Sequence, residues 1–237
     1  AQEIITRYNH ALDLIKEVSS TSTGELKIGF LGTASQSFLS DFVMGFTASH
    51  PQIKLSMTSD ALDILVKQLN DGLTDLAFVT HVDKNYLIGL ESKTIMKSPL
   101  IAVMHPTHAL ANRDSLSIKD LSGFPMINFS PQANPITSDF NKQIFKKAGA
   151  QLNIVREIPN IETAAFCASI NEGVFIMPEY LRSSIGSLRT IPLTDSFAYV
   201  TLNLIWKKKN PNISIPVFVD SFSTYIQNRT PDLAPAD

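Results

Sequence analysis

The chain has 237 residues, of which 44% are hydrophobic and 18% charged, a composition typical of a folded globular protein. No apolar stretch reaches the roughly 18 residues that cross a membrane, and no charged segment followed by an apolar one marks a signal peptide. A net charge of −2 argues against a chain that grips nucleic acid by itself. The single cysteine, Cys167, excludes an internal disulfide.

Residues 1–20 are predicted to form an amphipathic helix. Its apolar side chains recur at helical spacing, with charged residues between them: Ile4, Ile5, Tyr8, Ala11, Leu12, Ile15 and Val18. A polar linker, Ser19–Gly24, then breaks the helix. An isolated helix of this length is marginal in water, so the apolar stripe must be covered. We predict a partner chain as the cover, and packing on the chain's own domain is the alternative.

Residues 24–79 alternate between the periodicities of strands and helices. Strand-like stretches at 24–33 and 53–57 are each followed by an apolar pattern of helical period, and a third strand closes the segment at 74–79. This order requires a parallel sheet with right-handed crossovers. Such sheets bind ligands outside the carboxyl ends of their strands.

The rest of the chain continues the α/β alternation. Ser117, with Asp120 three residues later, predicts a capped short helix. Strands are predicted at 90–96, 99–104, 125–129, 152–158, 174–177, 188–193 and 200–207, and helices at 135–148, at 161–171, from 178 and at 213–228. Crossings near 100–102 and 203–206 predict two Rossmann-like lobes joined by paired hinge strands, which can close around a ligand.

Several residues follow the predicted strands at their carboxyl ends. The first group opens the first helix, where free backbone N–H groups favour an anion: Thr33, Ala34, Ser35 and Gln36. A plain N-cap role for Thr33 or Ser35 is compatible with ligand contact, and both interpretations stay open. The other groups are Thr80 and His81 after the third strand, and Phe129 and Ser130 in the second half of the chain.

Seven segments, in order, resemble the effector-binding region of LysR-type transcriptional regulators and span nearly the whole chain. They are Gly24–Gly29, Phe46–Leu55, Leu69–Ala77, Pro99–Val103, His108–Ala111, Ser117–Leu121, and Glu172–Gly173 with Met177–Pro178. Two departures stand out. Phe175 occupies the place of a frequent second glycine, which is expected to narrow one wall of the cleft. Ala61-Leu62 replaces a frequent Gly followed by Ser or Thr, so one hydroxyl contact is missing.

The resemblance implies the type-2 periplasmic-binding-protein fold, an α/β architecture of two lobes. Its parts are expected at 1–20 (linker and dimerisation helix), 24–101 plus 206–230 (lobe I) and 102–205 (lobe II). The family carries a winged helix-turn-helix before the linker helix. Because this chain lacks that domain and an initiator Met, we expect it to be the regulatory part of a longer protein.

The resemblance also extends the predicted effector site. It makes Pro135, Ile136 and Thr137 pocket residues that face Thr33 across the cleft. The matching contact at the second helix falls on Ala61 and Leu62, and Asn203 in the returning hinge strand is expected to point into the same space. Because no Lys or Arg falls in this pocket, a neutral or singly anionic effector is predicted.

The remaining candidate motifs favour ordinary structure. His105 and His108 are interpreted as loop residues, because metal sites require three or four ligands. Cys167 lies in an apolar helical stretch and is expected in the core, while Lys207–Lys209 is expected to be solvated. The chain has no Gly-x-Ser-x-Gly, P-loop or Gly-x-Gly-x-x-Gly motif, so we predict no catalysis, cofactor or metal.

We therefore expect the ligand-sensing domain of a cytoplasmic transcription regulator, with a small effector as partner and DNA contacted only through another domain. Dimers or tetramers are expected, through helices 37–49 and 213–228, with Asp41→Arg and Phe222→Asp as tests. One alternative is a periplasmic solute-binding protein, which requires an upstream signal peptide. Another is an enzyme of the same hinged fold, such as a tetrapyrrole-pathway deaminase, which requires a covalently held cofactor.

Overall fold

The computed structural model describes residues 24–30, 39–60, 62–80 and 87–229. The helices and strands, in chain order, are β1 (Gly24–Phe30), α1 (Leu39–Ser49), β2 (Ile53–Ser59), α2 (Leu62–Asp71), β3 (Leu76–Thr80), β4 (Leu90–Met104), β5 (Pro125–Phe129), α3 (Pro135–Lys147), β6 (Asn153–Ile158), α4 (Ile161–Ser169), β7 (Phe175–Pro178), β8 (Arg189–Pro192), β9 (Tyr199–Lys207) and α5 (Ser214–Arg229). No helix in these ranges has both the length and the apolarity to cross a bilayer.

The chain folds into two compact units, with boundaries at residues 95/96 and 202/203. Unit 1 takes the residues before and after these boundaries, and unit 2 is the segment 96–202. Both boundaries fall inside strands, so β4 and β9 each run from one unit into the other.

Unit 1 is built on the sheet order β2-β1-β3-β9-β4. Strand β1 pairs in parallel with both β2 and β3, which confirms the predicted β-α-β-α-β segment. Helices cover both faces of β1, since Gly24 approaches Ser214 of α5 and Gly29 approaches Leu65 of α2. Residues an odd number of positions apart in a strand point to opposite faces, so α2 and α5 lie on opposite sides.

The core of unit 1 between the sheet, α1 and α5 is largely aromatic. Phe42 packs edge-on against Phe218 and Phe222, with ring centroids 5.2 and 4.8 Å apart. Phe222 also packs edge-on against Phe78 of β3 at 4.9 Å. The apolar stripe predicted on the last helix is therefore buried within its own unit, and Phe222→Asp is the wrong substitution for testing an oligomer contact.

Unit 2 is a second α/β layer structure. The later part of β4 pairs antiparallel with β7 and β8, and β5 pairs in parallel with β6. An isolated bridge between Met126 and Val174 joins β5 to the chain just before β7. Met126 belongs to a cluster with Phe145 of α3, whereas Ile127 clusters with Ala164 of α4, so the two helices cover opposite faces.

Three local features correct or confirm the sequence-based expectations. The stretches predicted as strands 90–96 and 99–104 form one continuous strand, because the chain stays extended through Pro99 and the ladder to β7 begins only at Leu100. Phe175 pairs with Val103 and is buried in the core of unit 2 rather than at a surface. The capping box of Ser117 and Asp120 is present, on the 3₁₀ helix Ile118–Leu121.

Candidate functional site

The carboxyl ends of the three parallel strands in unit 1 lie along one edge of the sheet. The register pairs Phe30 with Ser59 and with Phe78, so β1, β2 and β3 end together. Thr80, the last residue of β3, is partly exposed at this edge. The other predicted residues that follow these strands lie outside the described part of the chain: Thr33, Ala34, Ser35, Gln36, Ala61 and His81.

Two more predicted residues of unit 1 have buried side chains. Leu62 begins α2 and is part of the core. Asn203 lies in β9, where its side-chain oxygen accepts a hydrogen bond from the Thr94 hydroxyl at 2.8 Å. The Asn203 amide is thus held by a neighbouring strand and does not stand free.

Side-chain hydrogen bonds join α2 to the segments on either side of it in the chain. The Gln68 amide of α2 donates to the carboxylate of Asp60, directly after β2, at 2.9 Å. Its oxygen accepts from the Thr74 hydroxyl at 3.1 Å. These hydrogen bonds hold the last turn of α2 against Asp60, which follows β2, and against Thr74 in the loop before β3.

In unit 2 the predicted site residues lie close together around the turn from β5 to α3. The Ser130 N–H donates to Ile158 O at 2.8 Å, and the Ser130 carbonyl accepts from Asn134 N–H at 2.9 Å. The Ser130 hydroxyl donates to the Gln132 side chain and accepts from Ala133 N–H, at 2.9 and 3.3 Å. The backbone and the hydroxyl group of Ser130 therefore both form hydrogen bonds that stabilise the turn between β5 and α3.

The first turn of α3 presents polar groups at its N-terminus. Asn134 is the N-cap and accepts from Thr137 N–H at 3.1 Å, while Pro135 has no N–H to satisfy. The Ile136 N–H and the Thr137 hydroxyl have no hydrogen-bond partner among the described residues. Because the first turn carries no acidic side chain, the positive end of the helix dipole is not neutralised by the helix itself.

Sequence reasoning missed a buried polar cluster just behind this turn. Asn141 of α3 donates to Asn128 of β5 at 2.8 Å, and Asn128 donates to Ser138 of α3 at 3.4 Å. Asn128 is the one polar residue in the otherwise apolar strand Pro-Met-Ile-Asn-Phe. A polar residue within such a strand was the available sequence signal for a buried polar cluster.

No grouping of metal-ligand side chains appears in the described part of the chain. Nowhere in those ranges do three or more potential ligands of the His, Cys, Asp and Glu types come together. His105 and His108 lie in a turn closed by His108 N–H to His105 O at 2.9 Å, as expected for a loop. Cys167 is buried. The pKa of its thiol is raised, mainly by this burial and to a smaller extent by its hydrogen bond with Glu172.

Glu172 is also paired with an arginine. The Arg156 guanidinium donates to the Glu172 carboxylate through both Nε, at 2.8 Å, and Nη2. These hydrogen bonds hold the pKa of Glu172 below its usual range. The pair ties β6 to the segment after α4 and requires no ligand to explain it.

Comparison with known proteins gives a consistent set of matches. A family described as the LysR substrate binding domain matches residues 19–225. The "HTH-type transcriptional regulator AlsR" of Bacillus subtilis (strain 168) is 25% identical over 232 residues, which cover 95% of this chain and 74% of AlsR.

Two solved structures extend the comparison. The BenM effector binding domain with its effector benzoate superposes with a TM-score of 0.79 at 17% identity, covering 88% of this chain and 94% of that one. The effector binding domain of QuiR in complex with shikimate gives a TM-score of 0.74 at 22% identity, covering 87% and 99%. At these identities the likeness shows the fold, and it agrees with the mixed α/β architecture described above.

Proposed function

The chain belongs to the LysR substrate-binding domain family, and from this premise we propose that it senses a small effector and thereby controls transcription. The observation that carries the proposal is the family match over residues 19–225. A small molecule controls such a protein only if it binds two conformations with different affinity. The effector is therefore proposed to shift the population of conformations within this domain.

The partners follow from the relatives. AlsR is a helix-turn-helix regulator and is longer than the segment that matches this chain. We propose that DNA is contacted by such a domain preceding this one, and that the protein acts in the cytoplasm without catalysing a reaction. Because the matched relatives are transcription regulators, a periplasmic solute-binding protein is not favoured.

The proposed effector is a small carboxylate with one negative charge, or a neutral molecule of similar size. In unit 2 the free Ile136 N–H and the Thr137 hydroxyl provide hydrogen-bond donors at a helix N-terminus, which favours an anionic group. No lysine or arginine belongs to the predicted set, so a second or third negative charge would stay unpaired. Benzoate in BenM and shikimate in QuiR are monocarboxylates, which supports this class.

Each unit carries its own group of proposed effector-site residues. In unit 2 it comprises Phe129, Ser130, Pro135, Ile136 and Thr137. In unit 1 it comprises Thr33, Ala34, Ser35, Gln36, Ala61, Leu62, Thr80, His81 and Asn203. Of these, Thr137 makes the sharpest test, because its hydroxyl serves no other described residue and its removal spares the Asn134 cap.

The test is a thermal-shift and calorimetric screen of monocarboxylates, beginning with benzoate and shikimate, against di- and tricarboxylates. A ligand at 100 times its Kd stabilises the folded state by about 2.7 kcal/mol, enough to raise the melting temperature measurably. Thr137→Val should weaken the best monocarboxylate about tenfold with little change in the unliganded melting temperature. Tight binding of a tricarboxylate would contradict the proposed effector class. The absence of binding by every carboxylate tested, with the domain folded, would contradict it as well.

We also propose that the chain self-associates, and that a second copy covers the exposed apolar side of α4. Phe166 and Ile170, one helical turn apart at the C-terminal end of α4, are 63% and 60% exposed. Among described strands β6 pairs only with β5, so its other edge is open. Neighbouring exposed apolar side chains of this size mark interaction surfaces.

Sedimentation analysis of the domain tests this contact. Phe166→Ser should shift the distribution towards monomer, whereas the control Ile88→Ser, at another strongly exposed apolar side chain in unit 1, should leave it unchanged. An oligomer that survives Phe166→Ser with unaltered dissociation constant would place the contact elsewhere, including on the exposed side of α1.

A further inference from the structure

Three polar side chains are buried together in unit 2, between strand β5 and helix α3. Asn128, Ser138 and Asn141 are 1%, 0% and 6% exposed. The Asn141 amide donates to the Asn128 oxygen at 2.8 Å, and the Asn128 amide donates to the Ser138 hydroxyl at 3.4 Å. The strand is thereby joined by side-chain hydrogen bonds to two helix positions that lie three residues apart, Ser138 and Asn141.

The cluster replaces an apolar layer at one particular level of the unit. Met126, two residues before Asn128 and therefore on the same face of β5, packs with Ile144 and Phe145 further along α3. At the level of Asn128 the facing residues are polar instead. This level is the carboxyl end of β5 and the beginning of α3, immediately behind the turn that holds Ser130.

We propose that this cluster, Asn128 with Ser138 and Asn141, positions the proposed effector-contacting residues of unit 2, although none of its members touches the effector. It sets the distance and angle between the end of β5, which carries Phe129 and Ser130, and the first turn of α3, which carries Ile136 and Thr137. The inference rests on the proposed function for the identity of the site. It adds a second set of residues on which affinity depends.

Physical reasons favour positioning over plain packing. Apolar contacts are non-directional, so a helix on an apolar layer can shift or rotate slightly at little cost. Hydrogen bonds are directional and are costly to leave unmade in a buried place, so they select one arrangement. Two amides and a hydroxyl within one turn of the site hold the donors of the site at a fixed spacing, as effector recognition through Ile136 N–H and Thr137 requires.

The chain provides a matched pair of variants for the test. Asn141→Leu removes the shortest hydrogen bond of the cluster and leaves the Asn128 oxygen without its donor. The control Ile144→Val removes one methyl group from the apolar layer of the same helix. The readouts are benzoate binding by calorimetry and hydrogen exchange at two amides with known acceptors, Asn134 N–H on Ser130 O and Thr137 N–H on the Asn134 side chain.

We expect Asn141→Leu to raise the Kd for benzoate about tenfold and to accelerate exchange at both amides about tenfold. Ile144→Val should lower the melting temperature but change affinity and these two exchange rates less than twofold. Equal effects of the two variants on affinity and exchange would overturn the proposal and leave the cluster a structural one. If Asn141→Leu does not fold, Ser138→Ala replaces it, with an expected effect of about threefold in the same direction.

Failure of the proposed effector class remains distinguishable. If the unaltered domain does not bind benzoate, the proposed monocarboxylate class is not supported by this ligand. Hydrogen exchange alone then tests whether the cluster positions the site. Faster exchange at Asn134 and Thr137 in Asn141→Leu than in Ile144→Val then supports it. Exchange that is the same in both variants refutes it.

Discussion

The two units build the same kind of α/β layers on different cores. Unit 1 packs its sheet against α1 and α5 through phenylalanine rings from three elements, Phe42, Phe78, Phe218 and Phe222 among them. Unit 2 packs Phe140, Ile144 and Phe145 of α3 against mainly aliphatic side chains of its sheet, and adds the polar cluster of Asn128, Ser138 and Asn141 at the end that carries the site.

The difference separates two ways of holding a helix on a sheet. Edge-to-face aromatic pairs add a large buried area and some preference in angle. Hydrogen-bonded amides add little net stability but specify one arrangement. Unit 1 is thus expected to depend on the size of its core side chains, and unit 2 on the identity of a few polar atoms.

The largest expected effect is on the aromatic core of unit 1. Phe222→Ala removes a ring that contacts both Phe42 and Phe78, and should cost about 3–5 kcal/mol of unfolding free energy through lost burial and a cavity. Urea unfolding followed by circular dichroism and by exchange of β3 amides measures it. The control Met44→Ala, at an exposed position of α1, should stay within about 0.5 kcal/mol. A loss no larger than this control would show that the rings are not the main support of unit 1.

An intermediate loss of stability is expected when alanine replaces a glycine that has close neighbours, and the chain offers two such glycines. A side chain at Gly173 in unit 2 would come within 2.7 Å of the Pro125 carbonyl oxygen, which also accepts a hydrogen bond from Val174 N–H. Gly173→Ala should therefore cost about 1–3 kcal/mol by overpacking against backbone that cannot move freely. At Gly29 in unit 1 the obstructing atoms are the ends of the Leu65 and Thr74 side chains, at 2.5 and 3.3 Å, and not backbone, so Gly29→Ala should cost less.

Chemical denaturation of both variants gives the comparison directly. Gly45→Ala serves as control, because nothing lies within 4 Å of its added methyl group in α1. It should stabilise the helix by about 0.5–1 kcal/mol. A larger loss at Gly29 than at Gly173 would reverse the proposed contrast between a movable side chain and fixed backbone.

The smallest effect concerns a polar contact at the surface of unit 2. Asp120 accepts from both the N–H and the hydroxyl of Ser117, at 2.7 and 2.6 Å, and these hydrogen bonds hold the pKa of the carboxyl below its usual value. A lowered folded pKa means that the stabilisation is complete above the unfolded pKa and is lost as pH falls through the folded one. Asp120→Asn should therefore cost about 0.5–1 kcal/mol at pH 7 and much less near pH 3.

Urea unfolding at the two pH values checks this dependence. Asp114→Asn removes an equal charge from the same segment of chain without a cap and should show a smaller deficit at pH 7. A deficit for Asp120→Asn that is constant between pH 3 and pH 7 would contradict the role of the ionised carboxylate.

Much of the architecture was predictable because periodicity reports directly on burial. Alternating residues in 24–30 and helical spacing in 213–228 predicted β1 and α5, and the motif order predicted the family and the α/β fold, which are both confirmed. Strand β4 was predicted as two pieces because Lys97-Ser98-Pro99 has the composition of a break. Local composition could not show that the chain would remain extended there.

The site was only partly predictable for a different reason. Ser130 and Thr137 were found because they follow a strand and open a helix, positions that sequence alone marks. Asn128 and Asn141 are thirteen positions apart, and each alone is compatible with a solvent-exposed residue. Their shared role depends on which helix covers which face of β5, and this is determined by the tertiary structure, which local sequence does not show.

The single cysteine of this protein makes the local opening of unit 2 measurable by thiol labelling. Cys167 is the only cysteine in the chain, lies buried at the end of α4, and has its pKa raised by that burial. A thiol-specific reagent can modify it only while the surrounding structure is open, because both access and ionisation are suppressed in the closed state. The rate at which a thiol reagent labels Cys167 therefore measures the local opening of unit 2. Comparing this rate with and without a candidate effector shows whether the effector suppresses the opening.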